Sequence, residues 1–282
     1  MPDLRFAALP LDEWRPTRDT IHAYVEVLGK IRRVLTPRQR HWEHASLRVA
    51  ASGLTTTPIP AGAITFELLL DFTTHASIIT TSRGERWSNP LRGQSEAAFC
   101  EETLAALNVI GVHAAVDAGQ FSNTPGAYDM SAVQRYWQIL SQLDVVFKRF
   151  RGELLGATSP VQLWPHNFDL AMLWFSGRHV PGADPEQEEY ADEQMNFGFV
   201  TGDESIPEAY LYITAYPLPG ALPYEPLPDG AEWYSGGWQG AVMPYAVLAG
   251  SGEPAEKLLS FLRVVQQAGA RLMTPRTEAT NA

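Results

Sequence analysis

With 282 residues, 45% of them hydrophobic and 19% charged, the chain lies outside the composition range of disorder and is long enough for one large domain or two ordinary ones. Lys+Arg 21 against Asp+Glu 32 leave a formal charge of −11, which repels phosphate backbones and anionic lipid and argues against nucleic-acid partners. The single cysteine, Cys100, excludes an internal disulfide and a thiolate metal cage and suits the reducing cytoplasm.

The first eleven residues carry one arginine and no long apolar run, which predicts no secretion signal. The most apolar windows, 64–72 and 163–175, fall short of the roughly 20 residues of a spanning helix, so no membrane partner is expected. Between Pro16 and Pro37, Ile21, Tyr24, Val25, Leu28, Ile31 and Leu35 recur at three- and four-residue steps, predicting an amphipathic helix over 17–35. Alternation then takes over. Leu47 and Val49 oppose His44, Ser46 and Arg48, while Ile64, Phe66, Leu68 and Leu70 oppose Glu67 and Asp71, as in strands with one apolar face. A third strand over 75–81, a turn at Arg83-Gly84-Glu85 and a fourth over 86–89 complete an antiparallel meander, and Ser95 opens a helix to about 108.

A Gly/Ser/Asn/Pro-rich connection follows. Ser131 is expected to cap a long helix carrying Val133, Trp137, Leu140, Leu143, Phe147 and Phe150. Strands over 161–175, 196–201 and 209–216, an irregular stretch over 217–244 and a helix from Pro254 to about 269 finish the chain. The fold class is thus α+β, antiparallel sheets flanked by helices, in two helix-strands-helix halves: 1–116 and 131–273, joined by a linker over 117–130 and followed by a frayed tail over 274–282. Trp42-Glu43-His44 and Trp164-Pro165-His166 stand at matching places, which points to an internal duplication, against one domain with unrelated halves.

Candidate chemistry gathers at these triplets. His44 and Arg48 on one strand, Glu67 and Asp71 on the next, and His75 after it share a face that would either line a pocket or carry solvated surface ion pairs. His41 and His44 do not make a zinc pair, because an i, i+3 spacing on a strand points to opposite faces. His166 and Asp169 follow Pro165, whose missing N–H bends the backbone, and are candidates for base and orienter, or for two ligands of a divalent metal completed by Glu193. Their plainer reading is a half-buried histidine and an aspartate tied to backbone amides. Arg178 beside Gly177 is placed to grip an anion, or makes a structural salt bridge. Trp233, Trp238 and Tyr245 among glycines form an aromatic wall for a flat ligand, or plug a core edge. Cys100 reads as an apolar filler. Phosphate loops, Rossmann fingerprints, serine-esterase elbows and His-Glu-x-x-His helices are absent from the sequence.

One resemblance covers nearly the whole chain. Trp42-Glu43-His44-Ala45-Ser46-Leu47-Arg48-Val49 with Gly53-Leu54-Thr55-Thr56, Tyr128-Asp129, Ser159-Pro160-Val161, Phe168-Asp169-Leu170-Ala171 and Phe175-Ser176-Gly177-Arg178 together resemble the domain of unknown function 5996 family. The resemblance implies kinship and no reaction. Its pattern falls on His44, Asp71, His75, Asp169, Arg178 and Glu193, and departs where Gln162 and Asp192-Glu193 replace histidine-containing positions. The expectation is an enzyme acting on a small polar molecule by acid–base or metal-assisted chemistry in a cleft between the halves. His44, His166, Asp169 and Glu193 would be catalytic, with Arg48, Asp71, His75, Arg178, Trp233, Trp238 and Tyr245 binding. The alternative is a non-catalytic ligand-binding or oligomerising protein.

Overall fold

The computed structural model describes residues 4–273, so the tail over 274–282 lies outside the described residues. The architecture is α+β with antiparallel sheets. The chain forms two compact units: the first is Leu9–Asp144 with Gln162–Leu170, and the second is residues 4–8, Val145–Val161 and 171–273. Among the described residues no helix is long and apolar enough to cross a membrane.

The first unit opens with α1, Leu11–Leu35, which starts before the predicted residue 17. Leu11 and Trp14 are buried and anchor an extra turn and a half, Asp12 and Glu13 favour its N-terminus, and Pro16 passes through on the exposed side. The buried stripe of α1 includes Ile21, Tyr24, Leu28 and Ile31, and also Arg32. After it the expected strand alternation fails. Arg40–Ala45 is a 3-10 turn broken by left-handed His41 and Trp42, so His44 sits in the turn and does not share a strand face with Arg48. β1 is reduced to Arg48–Val49.

The meander follows as β2 Gly53–Thr55, β3 Ile59–Ala61, β4 Ile64–Asp71, β5 Ala76–Thr81 and β6 Arg86–Pro90. Its order is β1-β2-β4-β5-β6, with β3 also on β4. Ile64, Phe66, Leu68 and Leu70 are buried while Thr65, Glu67 and Leu69 between them are less so, the expected two-residue period. α2, Glu96–Val109, is capped as predicted, with Ser95 Oγ accepting from the Ala98 N–H at 3.2 Å. α3, Met130–Glu153, is capped by Asp129 and not by Ser131: Asp129 Oδ1 accepts from the N–H groups of Ser131 and Ala132 at 2.8 and 3.2 Å.

The single strand predicted over 161–175 is two. β7, Gln162–Trp164, and β8, Asp169–His179, flank a reversal at 165–168 in which Phe168 adopts φ 54°. Leu47 and Leu163 exchange backbone hydrogen bonds of 2.8 and 2.9 Å, docking β7 beside the start of β1.

In the second unit, α4 Glu188–Ala191 precedes β9 Asp192–Val200, then come β10 Tyr210–Tyr216, β11 Glu232–Tyr234 and β12 Gly240–Pro244. The order is β11-β12-β10-β9-β8. β11 and β12 lie inside the stretch predicted to be irregular. α5, Tyr245–Ala249, and α6, Pro254–Met273, complete the unit. Its core joins Met195, Phe197, Phe199, Leu211 and Ile213 of the sheet with Leu258, Phe261, Leu262 and Val265 of α6. Phe150 packs edge-on to Phe197 at 5.0 Å.

Candidate functional site

Among the described residues, five other than glycine have left-handed backbone: His41, Trp42, Thr57, His75 and Phe168. Each costs roughly 1–2 kcal/mol and persists only where its surroundings over-determine it. Four of them adjoin predicted site residues: His41 and Trp42 precede His44, His75 is itself a candidate, and Phe168 precedes Asp169. Thr57 lies two residues past β2, and its N–H donates to Thr55 Oγ1 at 2.8 Å.

The first strained turn is held by its aromatic ring. Arg33 and Arg38 lie over Trp42 at 4.8 and 5.1 Å, and His44 stacks on it at 5.5 Å. His44 is buried, and its Nδ1 accepts from the Gln39 N–H at 3.3 Å. The neutral ring therefore carries its proton on Nε2. Burial, then Arg38, Arg33 and Arg32, push its pKa below the usual histidine value, so at neutral pH His44 is a hydrogen-bond donor through Nε2.

Beyond the turn, the Leu47–Leu163 pairing sends both leucines inward and places Ser46, Arg48 and Gln162 on the opposite side of their strands. Gln162 Oε1 accepts from Ser46 Oγ at 2.7 Å and from Arg48 Nη1. Ser46 Oγ accepts in turn from Arg32 Nη1 at 3.3 Å. Arg32 is 5% exposed and Gln162 0%. Burial, then Arg48, bring the Arg32 guanidinium down to about 10, against a weaker opposing pull from Glu43, so it remains charged at pH 7. Glu43 Oε2 lies 3.9 Å from Arg48 Nη2, and both side chains reach the surface in part. Two donors here have no partner among the described residues: Arg32 Nε and Gln162 Nε2.

Asp71 ends β4 and His75 is the last residue of the turn before β5. Asp71 Oδ1 accepts from the Thr73 N–H, the Thr74 N–H and the Thr73 hydroxyl, and Oδ2 from Ser52 Oγ at 3.0 Å. Burial works to raise its pKa, but these bonds overcome it and hold the carboxyl below the usual range. Every oxygen is engaged, as in a turn-forming aspartate. His75 Nδ1 is 3.1 Å from Tyr128 OH, which ties the connection before α3 to the meander. Burial lowers the His75 pKa, against Asp71. Glu67 accepts from the Thr55 hydroxyl.

The second Trp-x-His triplet meets a residue that sequence reasoning missed. His22 of α1 donates Nε2–H to the Pro165 carbonyl at 2.8 Å and stacks on Phe168 at 5.2 Å, while Arg18 lies over the same ring at 5.8 Å. Burial, then Arg18, lower the His22 pKa, against the Pro165 hydrogen bond and Asp19. His166 is exposed and Asp169 is 2% exposed. The field of Asp169 acts on buried Tyr136, whose pKa is raised chiefly by burial. The only sequence signal for His22 was its place four residues after Arg18 on α1, which lets both reach one turn.

Arg178 and Glu193 belong to the second unit and form an ion pair at 2.6 Å, the structural role weighed for Arg178. Trp233 Nε1 donates to the Glu225 carbonyl at 2.9 Å. Trp238 packs against Tyr234 at 4.7 Å and Tyr210 at 6.3 Å. Tyr245 is 2% exposed and donates to the Ala7 carbonyl at 2.8 Å, so it is a core residue and not part of an open wall.

Among the described residues no group of three or more His, Cys, Asp or Glu is arranged to hold a metal ion, and His166, Asp169 and Glu193 make no such set. Cys100 is buried, and burial, then Glu101 and Glu96, push its thiol up to about 11, as befits a filler. A recess of about 380 Å³ opens in the first unit between Thr20, Tyr24, Gln94 and Glu96. None of the predicted site residues lines it. No curated protein and no solved structure matches the chain. A family model described as a family of unknown function, DUF5996, matches residues 6–281, and the chain belongs to that family.

Proposed function

We propose that the protein binds a small polar molecule in its first unit, where the left-handed His41–Trp42 turn delivers Glu43, His44, Ser46 and Arg48 against Gln162. The observation that carries this reading is the pairing of consecutive backbone strain with an interior polar cluster. Strain of this kind clusters at sites that must be held in one geometry. Recognition is favoured over acid–base or metal-assisted catalysis by His44, whose Nδ1 is already engaged, and by the Arg178–Glu193 pair, whose charges satisfy one another. The single cysteine supports a reducing, cytoplasmic setting.

The test is a thermal-shift screen of small metabolites, spanning acids, phosphates, amines and neutral amides, on the wild type and on Arg48→Met. At least one compound is expected to raise the wild-type Tm and to lose that effect in the variant. A screen in which no compound acts, or in which every active compound acts equally on both proteins, overturns the reading.

A catalytic second reading is favoured by one observation. His22 is neutral at pH 7 with its proton fixed on Nε2 by the Pro165 carbonyl, which leaves Nδ1 as the basic atom. Nitrogen chemical shifts of His22 that report a proton on Nδ1 would remove it.

A further inference from the structure

Resting on the binding reading above, we infer that the group recognised at this site is an oxyanion, a carboxylate or phosphate on a small molecule, anchored by Arg32 and Gln162. Neither residue was marked by sequence as a ligand contact. Arg32 lies on the buried stripe of α1, whose other buried residues are all uncharged. Placing a guanidinium there costs desolvation unless an acceptor meets it. Its one hydrogen bond is to a neutral hydroxyl, Ser46 Oγ, and no carboxylate lies within ion-pair distance of it among the described residues. Arg32 Nε and Gln162 Nε2, both nine-tenths or more buried, are N–H donors without acceptors, and Ser46 links the two side chains.

The chemistry that such a set lacks is negative and rich in acceptors. A guanidinium and a carboxamide joined through Ser46 each offer an unused N–H to an acceptor, with Arg48 as the second cation beside them. Glu43 closes the rim. Its carboxylate stands 3.9 Å from Arg48, beyond hydrogen-bond range, and its side chain is part-exposed. A neutral sugar or amide would leave the Arg32 charge uncompensated, and an amine would add to it.

The experiment uses the full chain and three probes at fixed ionic strength: inorganic phosphate, acetate, and uncharged acetamide, each at about 20 mM. Phosphate or acetate is expected to raise the wild-type Tm by about 2–4 °C, with saturation. Whichever anion acts identifies the source as phosphate or carboxylate. Gln162→Glu builds a carboxylate into the cluster. It is expected to raise Tm by itself and to abolish the response to both anions, which a general salt effect would leave intact. Arg32→Met is expected to abolish the response as well, and if that variant fails to fold, Gln162→Glu carries the test alone. A wild type indifferent to both anions, or a Gln162→Glu protein that still responds, overturns the oxyanion assignment. A shift with acetamide and with neither anion overturns it while leaving a polar-ligand site in place, so this inference and the broader reading fail separately.

Discussion

Asp71 illustrates how one residue's partners decide its role. Four donors converge on a buried carboxylate where β4 enters the turn to β5, three of them on Oδ1, a pattern that builds a turn. Asp71→Ala strips the acceptors from two backbone N–H groups and two hydroxyls and is expected to cost about 2–3 kcal/mol in urea unfolding. Asp71→Asn keeps one carbonyl acceptor and is expected to cost about 1 kcal/mol. Equal losses would show that the carboxylate's fan of bonds is not what holds the turn. Sequence placed Asp71 and His75 near each other because their spacing crosses a hairpin, and that much is legible from alternation. It did not reveal that Arg32 and His22 matter. Both sit on a helix whose pattern encodes only which face is buried, and their partners, Ser46, Gln162 and Pro165, arrive from distant segments. A buried charge on an apolar stripe was the one available sign, and it becomes meaningful only when the opposing side chains are known.

Elements were read well where side-chain period alone defines them. β4 shows its alternation directly, and α6 its three- and four-residue steps, because each position's environment follows from its neighbours. The readings that failed were set by backbone angles that composition conceals. The strand expected from His44 is a turn because His41 and Trp42 are left-handed, and the strand expected over 161–175 reverses at left-handed Phe168. No glycine marks either place; Pro165 announced a bend at the second, but not that the chain would reverse there through a left-handed Phe168. Helix α3 offers a test of the same kind. Two cap candidates lie two residues apart, and only the fold decides between them. Asp129 makes the cap bonds, so Asp129→Ala is expected to cost about 1 kcal/mol in chemical denaturation. Ser131→Ala is expected to stay within about 0.5 kcal/mol of wild type. The reverse order would return the cap to Ser131.

Across the whole molecule, seven histidines and a net charge of −11 make proton balance a property of the fold. His22, His44 and His75 are each pushed below the usual imidazole value, with burial the largest cause. The unfolded chain therefore takes up protons at these sites first, near pH 6.5, and stability declines as pH falls from there to the folded values, below which no more is lost. Asp71 and Glu153 act in a lower window. Hydrogen bonds hold Asp71 down despite its burial, and hydrogen bonding from Arg263 holds Glu153 down, so the stability they contribute is complete above about pH 4 and drains as pH falls through their folded values. Glu26 and Glu96 run the other way. Burial is the largest cause at both, and at Glu26 the charge of Glu96 is the second. Their contribution is fully present below about pH 4.3 and is lost as pH rises through the folded values. Glu96→Gln removes one of these opposing groups while keeping an oxygen for the Ser122 N–H. Followed by tryptophan fluorescence, its urea midpoint is expected to match the wild-type value at pH 4 and to exceed it at pH 7.5, because as pH rises between those points the wild type loses a contribution that the variant does not have to lose. Parallel curves for the two proteins would mean that Glu96 ionises in the folded chain as freely as in the unfolded one.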